Sequence, residues 1–173
     1  LQAAAKAAGK QLRFEATVMG GTPLIRLGLE ALAGCEIKRA RGILNGTTNY
    51  MLTQMDSGMT YADALAEAQA LGYAEADPTA DVDGWDAASK AIILAAALFG
   101  VKLGFNEMDV RGISQISPDD ITAAREAEER WKLIAEVTPE GASVTPQRIA
   151  VSHPLAGVSG GTNAVTFSTD LLG

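Results

Sequence analysis

Gly72-Tyr73-Ala74-Glu75-Ala76-Asp77-Pro78-Thr79-Ala80-Asp81-Val82-Asp83-Gly84-Trp85-Asp86-Ala87-Ala88-Ser89-Lys90, continued by Ala91-Ile92-Ile93-Leu94-Ala95-Ala96-Ala97-Leu98-Phe99-Gly100, is the stretch on which the fold turns. Its first part, from Tyr73 to Thr79, reads as a loop containing Pro78. Its second part predicts a long helix from near Asp81 to Phe99, stopped by Gly100. Past Lys90 that helix is apolar on every side, so it must be largely buried, and Lys90 stands at the mouth of the buried section.

Upstream of this stretch, Thr60 is placed to cap a helix running through Ala70, with Gly72 ending it, and Thr48 to Gln54 suits a shorter helix. Ile37 to Leu44 reads as a strand. Pro23 suits the first turn of a helix carrying Leu24, Leu27, Ala31 and Leu32 at helical spacing, with Gly34 as its stop. Leu12, Phe14 and Ala16 alternate with polar residues in the period of a half-buried strand, which runs into the turn-like Met19-Gly20-Gly21-Thr22-Pro23. Leu1 to Ala8 has helical composition and ends at Gly9. Downstream come an expected strand at Val110 to Ile116, a helix after Ser117-Pro118, a strand at Trp131 to Val137, and β-prone stretches at Val144 to Val151 and Ala164 to Phe167. The order is that of an α+β fold. No repeat is visible, and the one candidate linker is the polar turn at Thr138 to Gly141.

The bulk numbers bound what such a fold can do. The 173 residues suit one domain, and 47% hydrophobic with 20% charged residues is a folding composition, not a disordered one. A formal charge of −7 disfavours nucleic acid and anionic membranes, which require a basic footprint, and points to a small-molecule partner. Cys35 is the only cysteine, which excludes an intramolecular disulfide scaffold and fits a reducing cytoplasm. The longest strongly apolar run, Ala91 to Val101, falls short of the ~20 residues that span a bilayer. Leu1 to Lys10 lacks the apolar core of a signal peptide and reads as the end of a helix.

Chemistry concentrates between Glu75 and Lys90, where Glu75, Asp77, Asp81, Asp83 and Asp86 precede a single lysine. Asp86 and Lys90 share a helix face at i,i+4 spacing, in the favourable acid-before-base order. One reading is a solvated acidic loop with a surface ion pair worth a few tenths of a kcal/mol. The other is a partly desolvated lysine, oriented by Asp86, that transfers a proton while the remaining carboxylates hold a substrate ammonium. Asp81-Val82-Asp83-Gly84 echoes part of a calcium loop, but Asp77 is followed by Pro-Thr-Ala and no glutamate closes the loop.

The pattern Gly-Tyr-x-Glu-x-Asp-Pro at 72–78, then Asp81, then Gly84-x-Asp86-x-x-x-Lys90, resembles the signature of homoserine dehydrogenases. Gly42-Ile43-Leu44-Asn45-Gly46-Thr47-Thr48-Asn49-Tyr50 matches the same family, as do Phe14 to Pro23 and His153-Pro154-Leu155-Ala156 with Val158, Gly160 and Asn163-Ala164-Val165. The similarity covers nearly the whole chain. It implies an α+β catalytic domain with helices packed on one face of a mixed, largely antiparallel sheet. The implied activity is NAD(P)-dependent interconversion of L-homoserine and L-aspartate 4-semialdehyde, in threonine and methionine biosynthesis. Carried over by motif, Lys90 is the proton donor to the aldehyde oxygen, and Asp86 positions it or an associated water. Glu75 binds the amino group, and Asp81, Tyr73, Gly46 and Thr47 complete the amino-acid pocket. A zwitterion needs acceptors for its ammonium and donors for its carboxylate, and a reduced aldehyde needs a nearby acid, so the division is chemically sound.

The resemblance further implies a monovalent cation, sodium, held by Glu15, Val18, Gly20 and Thr22 through a carboxylate and main-chain carbonyls. Glycines let carbonyls converge on an ion because they adopt backbone angles closed to other residues, although a glycine pair also serves as an ordinary tight turn. Met19 and Thr22 depart from the family's commonest residues, which matters little if the ligands are carbonyl oxygens. A cytoplasmic homodimer built through this domain is also implied.

His153 has no nucleophile signature beside it and reads as structural, as does the Cys35 thiol. Gly157-Val158-Ser159-Gly160-Gly161-Thr162 lacks the lysine of a phosphate loop, and no Gly-x-Gly-x-x-Gly follows a strand. NAD or NADP is therefore expected to be bound mainly by a nucleotide-binding domain absent from this chain, and residues 1–173 alone are expected to be inactive. Two alternatives stand beside this reading: a non-catalytic small-molecule or metal-binding module on the same fold, and a related amino-acid semialdehyde dehydrogenase.

Overall fold

Glycines and capping side chains cut the chain into short elements. In the computed structural model, which describes all residues from Leu1 to Gly173, these are α1 (Gln2–Ala7), α2 (Leu24–Arg26), β1 (Ile37–Ile43), α3 (Gly46–Asp56), α4 (Tyr61–Ala70), α5 (Thr79–Val82), α6 (Trp85–Leu94), β2 (Asp109–Val110), α7 (Pro118–Glu126), β3 (Glu129–Thr138), β4 (Gly141–Ala150) and β5 (Ala164–Thr169). Thr60 caps α4 by accepting from the Asp63 amide at 3.1 Å, and Ser117 caps α7 by accepting from that of Asp120 at 3.1 Å. Both α2 and α6 widen into π-helical turns at their C-terminal ends, Leu27–Ala31 and Ala95–Phe99, and the second stops at Gly100 with φ +69°.

The five strands form one sheet in the order β2-β4-β3-β1-β5, antiparallel throughout except for β2 beside β4. Side chains alternate across each strand. Ala40 and Leu44 (just beyond β1), Leu133, Ala135 and Val137 on β3, and Val144 on β4 meet Met51, Leu52 and Met55 of α3 and Ala87, Ala88, Ala91 and Leu94 of α6 in the main core. Residues of opposite parity, Ile43, Ile134 and Ile149, form a smaller cluster with Leu155 on the other face. The α+β layering expected from the sequence is the one present.

Four expectations need correction. The helix expected from Asp81 is interrupted: α5 ends at Val82, and Gly84 takes φ +88° before α6 begins. The break is held from outside, because the Ile113 amide bonds the Val82 carbonyl at 2.8 Å and Gly112 lies so close that a Cβ there would fall 2.1 Å from that oxygen. The same contact explains why the strand expected at Val110 to Ile116 shrinks to Asp109–Val110, since the backbone turns away to meet α5. Leu12, Phe14 and Ala16 form no strand; the segment is irregular, closing in a 3-10 turn at Glu15–Thr17, because no strand of the sheet lies beside it to complete a ladder. Thr138 to Gly141 is not a linker but the tip of the β3–β4 hairpin, where Thr138 pairs with Gly141.

Candidate active site

The cavity that matters opens where three N-terminal ends meet: the start of α3, the loop before α5, and the first turns of α6. It has a volume of about 540 Å³ and is walled by Asn45, Gly46, Thr47, Gly72, Tyr73, Glu75, Asp77, Ala80, Asp81, Asp86 and Lys90. All seven residues proposed from the sequence for catalysis and substrate binding therefore line one space.

Lys90 is positioned by helix geometry and by the sheet. One turn after Asp86, its Nζ donates to Asp86 Oδ2 at 2.7 Å and to the Leu44 carbonyl at 2.9 Å, at the end of β1. The side chains of Lys90 and Asp86 are 22% and 34% exposed. A surface ion pair of this spacing swings freely; this one is anchored to the backbone and reachable from the cavity.

Asn45, to which sequence reasoning gave no role, organises the carboxylates. Its Oδ1 caps α3, accepting from the Thr48 amide at 2.8 Å and the Thr48 hydroxyl at 2.9 Å. With the oxygen so occupied, Nδ2 must face the cavity, where it donates to Asp81 Oδ1 at 2.6 Å and Asp86 Oδ2 at 2.8 Å. One amide thus spaces two acids and completes the surroundings of the oxygen that holds Lys90.

The rest of the wall offers a zwitterion two kinds of contact. Glu75 is exposed and its carboxylate makes no hydrogen bond or ion pair within the chain. Asp77, by contrast, is engaged by Thr79, whose hydroxyl and then amide hold its carboxyl below the usual range. Four carboxylates against one lysine favour a cation in this cavity. At the start of α3, the amides of Gly46 and Thr47 donate no hydrogen bond within the chain and are free to meet an anionic group. The Thr47 hydroxyl ties the loop down by donating to the Tyr73 carbonyl at 2.6 Å. The Tyr73 ring stacks on Tyr50 with centroids 4.7 Å apart.

The residues proposed as cation ligands lie elsewhere, before α2. Glu15 caps that helix, its two oxygens accepting from the amides of Ile25 at 2.7 Å and Arg26 at 3.0 Å. Met19 and Gly20 both take positive φ, 60° and 57°. The carbonyls of Val18, which is fully buried, and of Gly20 accept no hydrogen bond within the chain, whereas that of Thr22 accepts from Leu24. His153 does not line the cavity: Nδ1 accepts from the Leu155 amide at 3.1 Å, and burial, then Arg41 and Arg39, push its pKa down. Cys35 is half-buried, also outside the cavity. No helix is long and apolar enough to cross a membrane.

A family model described as homoserine dehydrogenase matches residues 23–173. The NAD(+)-dependent homoserine dehydrogenase of Pseudomonas canavaninivorans is 49% identical over 178 residues, covering 100% of this chain and 51% of that protein. A homoserine dehydrogenase structure from Thiobacillus denitrificans matches with a TM-score of 0.94 at 40% identity, over 99% of this chain and 41% of that one. A hyperthermophilic archaeal homoserine dehydrogenase mutant in complex with NADPH matches with a TM-score of 0.79 at 38% identity, over 92% of this chain and 46% of that one. The chain thus spans about half, or less, of the length of these relatives.

Proposed function

Because the chain belongs to the homoserine dehydrogenase family, we propose that it is the substrate-binding and catalytic domain of an oxidoreductase interconverting L-homoserine and L-aspartate 4-semialdehyde. The observation that carries this reading is the Lys90–Asp86 pair, anchored at 2.7 Å and open to a cavity whose remaining walls suit an amino acid. Glu75, with its carboxylate unspent, takes the substrate ammonium, and Asp81 adds to the negative field. The free amides of Gly46 and Thr47 face the substrate carboxylate. Tyr73 closes the side of the pocket. In the reducing direction Lys90 gives a proton to the aldehyde oxygen as negative charge develops there; in the oxidising direction it takes the hydroxyl proton back, directly or through a water held by Asp86.

The nicotinamide of NAD or NADP supplies or accepts the hydride when bound. We place its principal binding determinants outside these 173 residues. The only parallel strand pair here includes the two-residue β2, and although β1 leads through Gly46 into α3, β1 has only antiparallel neighbours, so no parallel strand-helix-strand unit stands ready to cradle a pyrophosphate. A sodium-like cation belongs to the same proposal, held by the Glu15 carboxylate and the Val18, Gly20 and Thr22 carbonyls. The unpaired carbonyls of Val18 and Gly20 support it, and both Glu15 oxygens retain lone pairs beyond their helix-capping bonds. Its part is to hold the turn before α2. The motif resemblance also supports a cytoplasmic homodimer, for which light scattering on the purified protein is the measurement.

The test is Lys90→Met in a chain that includes the dinucleotide-binding domain. Turnover should fall by ~10²–10⁴-fold, the usual range for a lost general acid, with the melting temperature little changed. A loss under about threefold would remove Lys90 from the chemistry. Residues 1–173 alone, given homoserine and either nicotinamide cofactor, should show no turnover; robust activity would mean that the cofactor site has been misplaced.

A further inference from the structure

We propose that Lys132, a residue outside the cavity, is a positioning residue for it: together with Asn49 it fixes the Val158–Thr162 loop, and through Gly161 that loop sets where Tyr73 and Gly46 stand. The inference rests on reading the cavity as the substrate site, and extends it to a network that no part of the proton chemistry uses.

Lys132 lies on β3 and is only 4% exposed. A buried ammonium is costly unless its protons are placed, so its partners show what it is for. They are not carboxylates. Nζ donates to Asn49 Oδ1 at 3.0 Å and to the Val158 carbonyl at 2.6 Å. Asn49, 1% exposed on α3, turns its Nδ2 to the same loop, within reach of the carbonyls of Val158, Gly160 and Thr162 at 3.2, 3.0 and 3.0 Å. Thr53, one turn further along α3, accepts from the Gly160 amide at 3.2 Å and donates to the Asn49 carbonyl at 2.7 Å. A loop without a strand ladder thus directs its carbonyls inward onto one ammonium and one carboxamide. Asp56 and Arg130, paired with each other at 3.0 Å, act on Lys132 in opposite senses, and burial pushes its pKa down to about 8.

With the carbonyls held inward, Gly161 is pressed against the site. A Cβ on Gly161 would lie 2.5 Å from Cε1 of Tyr73, and a Cβ on Gly46 would lie 2.7 Å from the Gly161 carbonyl oxygen. The Tyr73 ring therefore touches both Gly161 and the Tyr50 ring, and the first residue of α3 abuts the same loop. A side chain at Gly46 would collide with backbone, and one at Gly161 would force the Tyr73 ring to move. Where the loop sits decides where the tyrosine wall and the free amides of α3 sit, and small misplacements of positioning groups are expensive in binding and catalysis.

The experiment compares Lys132→Met, Lys132→Arg and Gly161→Ala in residues 1–173, recording melting temperature, amide resonances of Gly46, Tyr73, Gly160 and Gly161, and L-homoserine affinity by calorimetry. Lys132→Met should shift the loop resonances and those of Gly46 and Tyr73 together, and weaken homoserine by about tenfold. Lys132→Arg, which can still donate to the carbonyls, should recover most of both. Gly161→Ala should reproduce the Tyr73 shift and the affinity loss with the ammonium intact. A folded Lys132→Met protein with a shifted loop but unchanged Gly46, Tyr73 and affinity would reduce Lys132 to a structural role and overturn the proposal. If Lys132→Met does not fold, Gly161→Ala decides: a silent Tyr73 and unchanged affinity there would overturn it equally. If the unmodified chain binds no homoserine, the substrate reading fails, while the coupled Gly46 and Tyr73 shifts still decide the positioning.

Discussion

Asn45 offers a perturbation in which helix capping and active-site electrostatics can be separated. Asn45→Ala removes the cap of α3, worth ~1 kcal/mol. It also removes two hydrogen bonds to carboxylates, at 2.6 and 2.8 Å, each worth ~1.5–3 kcal/mol when both partners are dry. These are not dry, since Asp86 is 34% exposed and the cavity admits water, so solvent replaces much of the second loss. The net expectation is a destabilisation of about 2–3 kcal/mol. Asn45→Asp keeps the acceptor that caps Thr48, and aspartate caps as well as asparagine. It exchanges the amide for a third acid facing Asp81 and Asp86, with only Lys90 to compensate. At neutral pH it should therefore cost at least as much as the alanine. On acidification a shared proton restores the bridge. The introduced acid, crowded by two carboxylates, should hold its proton to higher pH in the folded chain than in the unfolded one, so the stability it restores is present at low pH and is lost as pH rises. Urea unfolding followed by the fluorescence of Trp85 and Trp131, at pH 7 and near pH 4, reads both effects. An Asn45→Asp protein as stable as the parent at pH 7 would show that Asn45 is a helix cap and nothing more.

Glu75→Gln, made in a chain with the dinucleotide-binding domain, should weaken homoserine more than the cofactor, and equal weakening in steady-state kinetics would take Glu75 out of the ammonium site. Lys132 should give stability an alkaline dependence. Its folded pKa of about 8 lies below the ordinary 10.5, so between those values the unfolded chain holds a proton that the folded chain has released, and stability rises with pH. The parent chain and Lys132→Met should diverge in urea titrations across that window, and parallel curves would contradict the placement of the ammonium. Sodium or potassium should raise the melting temperature of the parent chain and not of Glu15→Gln, and indifference in both would remove the cation from the Val18–Thr22 turn.

What was legible in the sequence depended on how far each determinant acts. Thr60, Ser117 and Gly100 work within a turn of their own helix, and the elements they bound were readable. The Asp86–Lys90 pair was legible for the same reason, since four residues along a helix suffice to join the two side chains. Longer reach defeated the reading. Gly84 falls inside the helix expected from Asp81 to Phe99, and only the approach of Gly112 and Ile113 to Val82 makes it a break. Asn45 carried a visible capping signal ahead of Gly46-Thr47-Thr48, but its other partners lie 36 and 41 residues away. Lys132 is the sharpest case. Between Trp131 and Leu133 it alternates as an outward-facing strand residue should, and the apolar Ile134, two residues on along the same face, is the one local mark that this face is covered. Its burial is imposed by a loop 26 residues downstream, whose carbonyls reach its ammonium. A strand pattern reports which face a side chain is on; whether that face is wet is settled by the chain that returns over it. Groups whose surroundings are settled in this way, Asn45 and Lys132 among them, are the ones by which the fold adjusts the site, so the residues hardest to assign from sequence are also those whose substitution should most clearly separate holding the fold together from holding the cavity in shape.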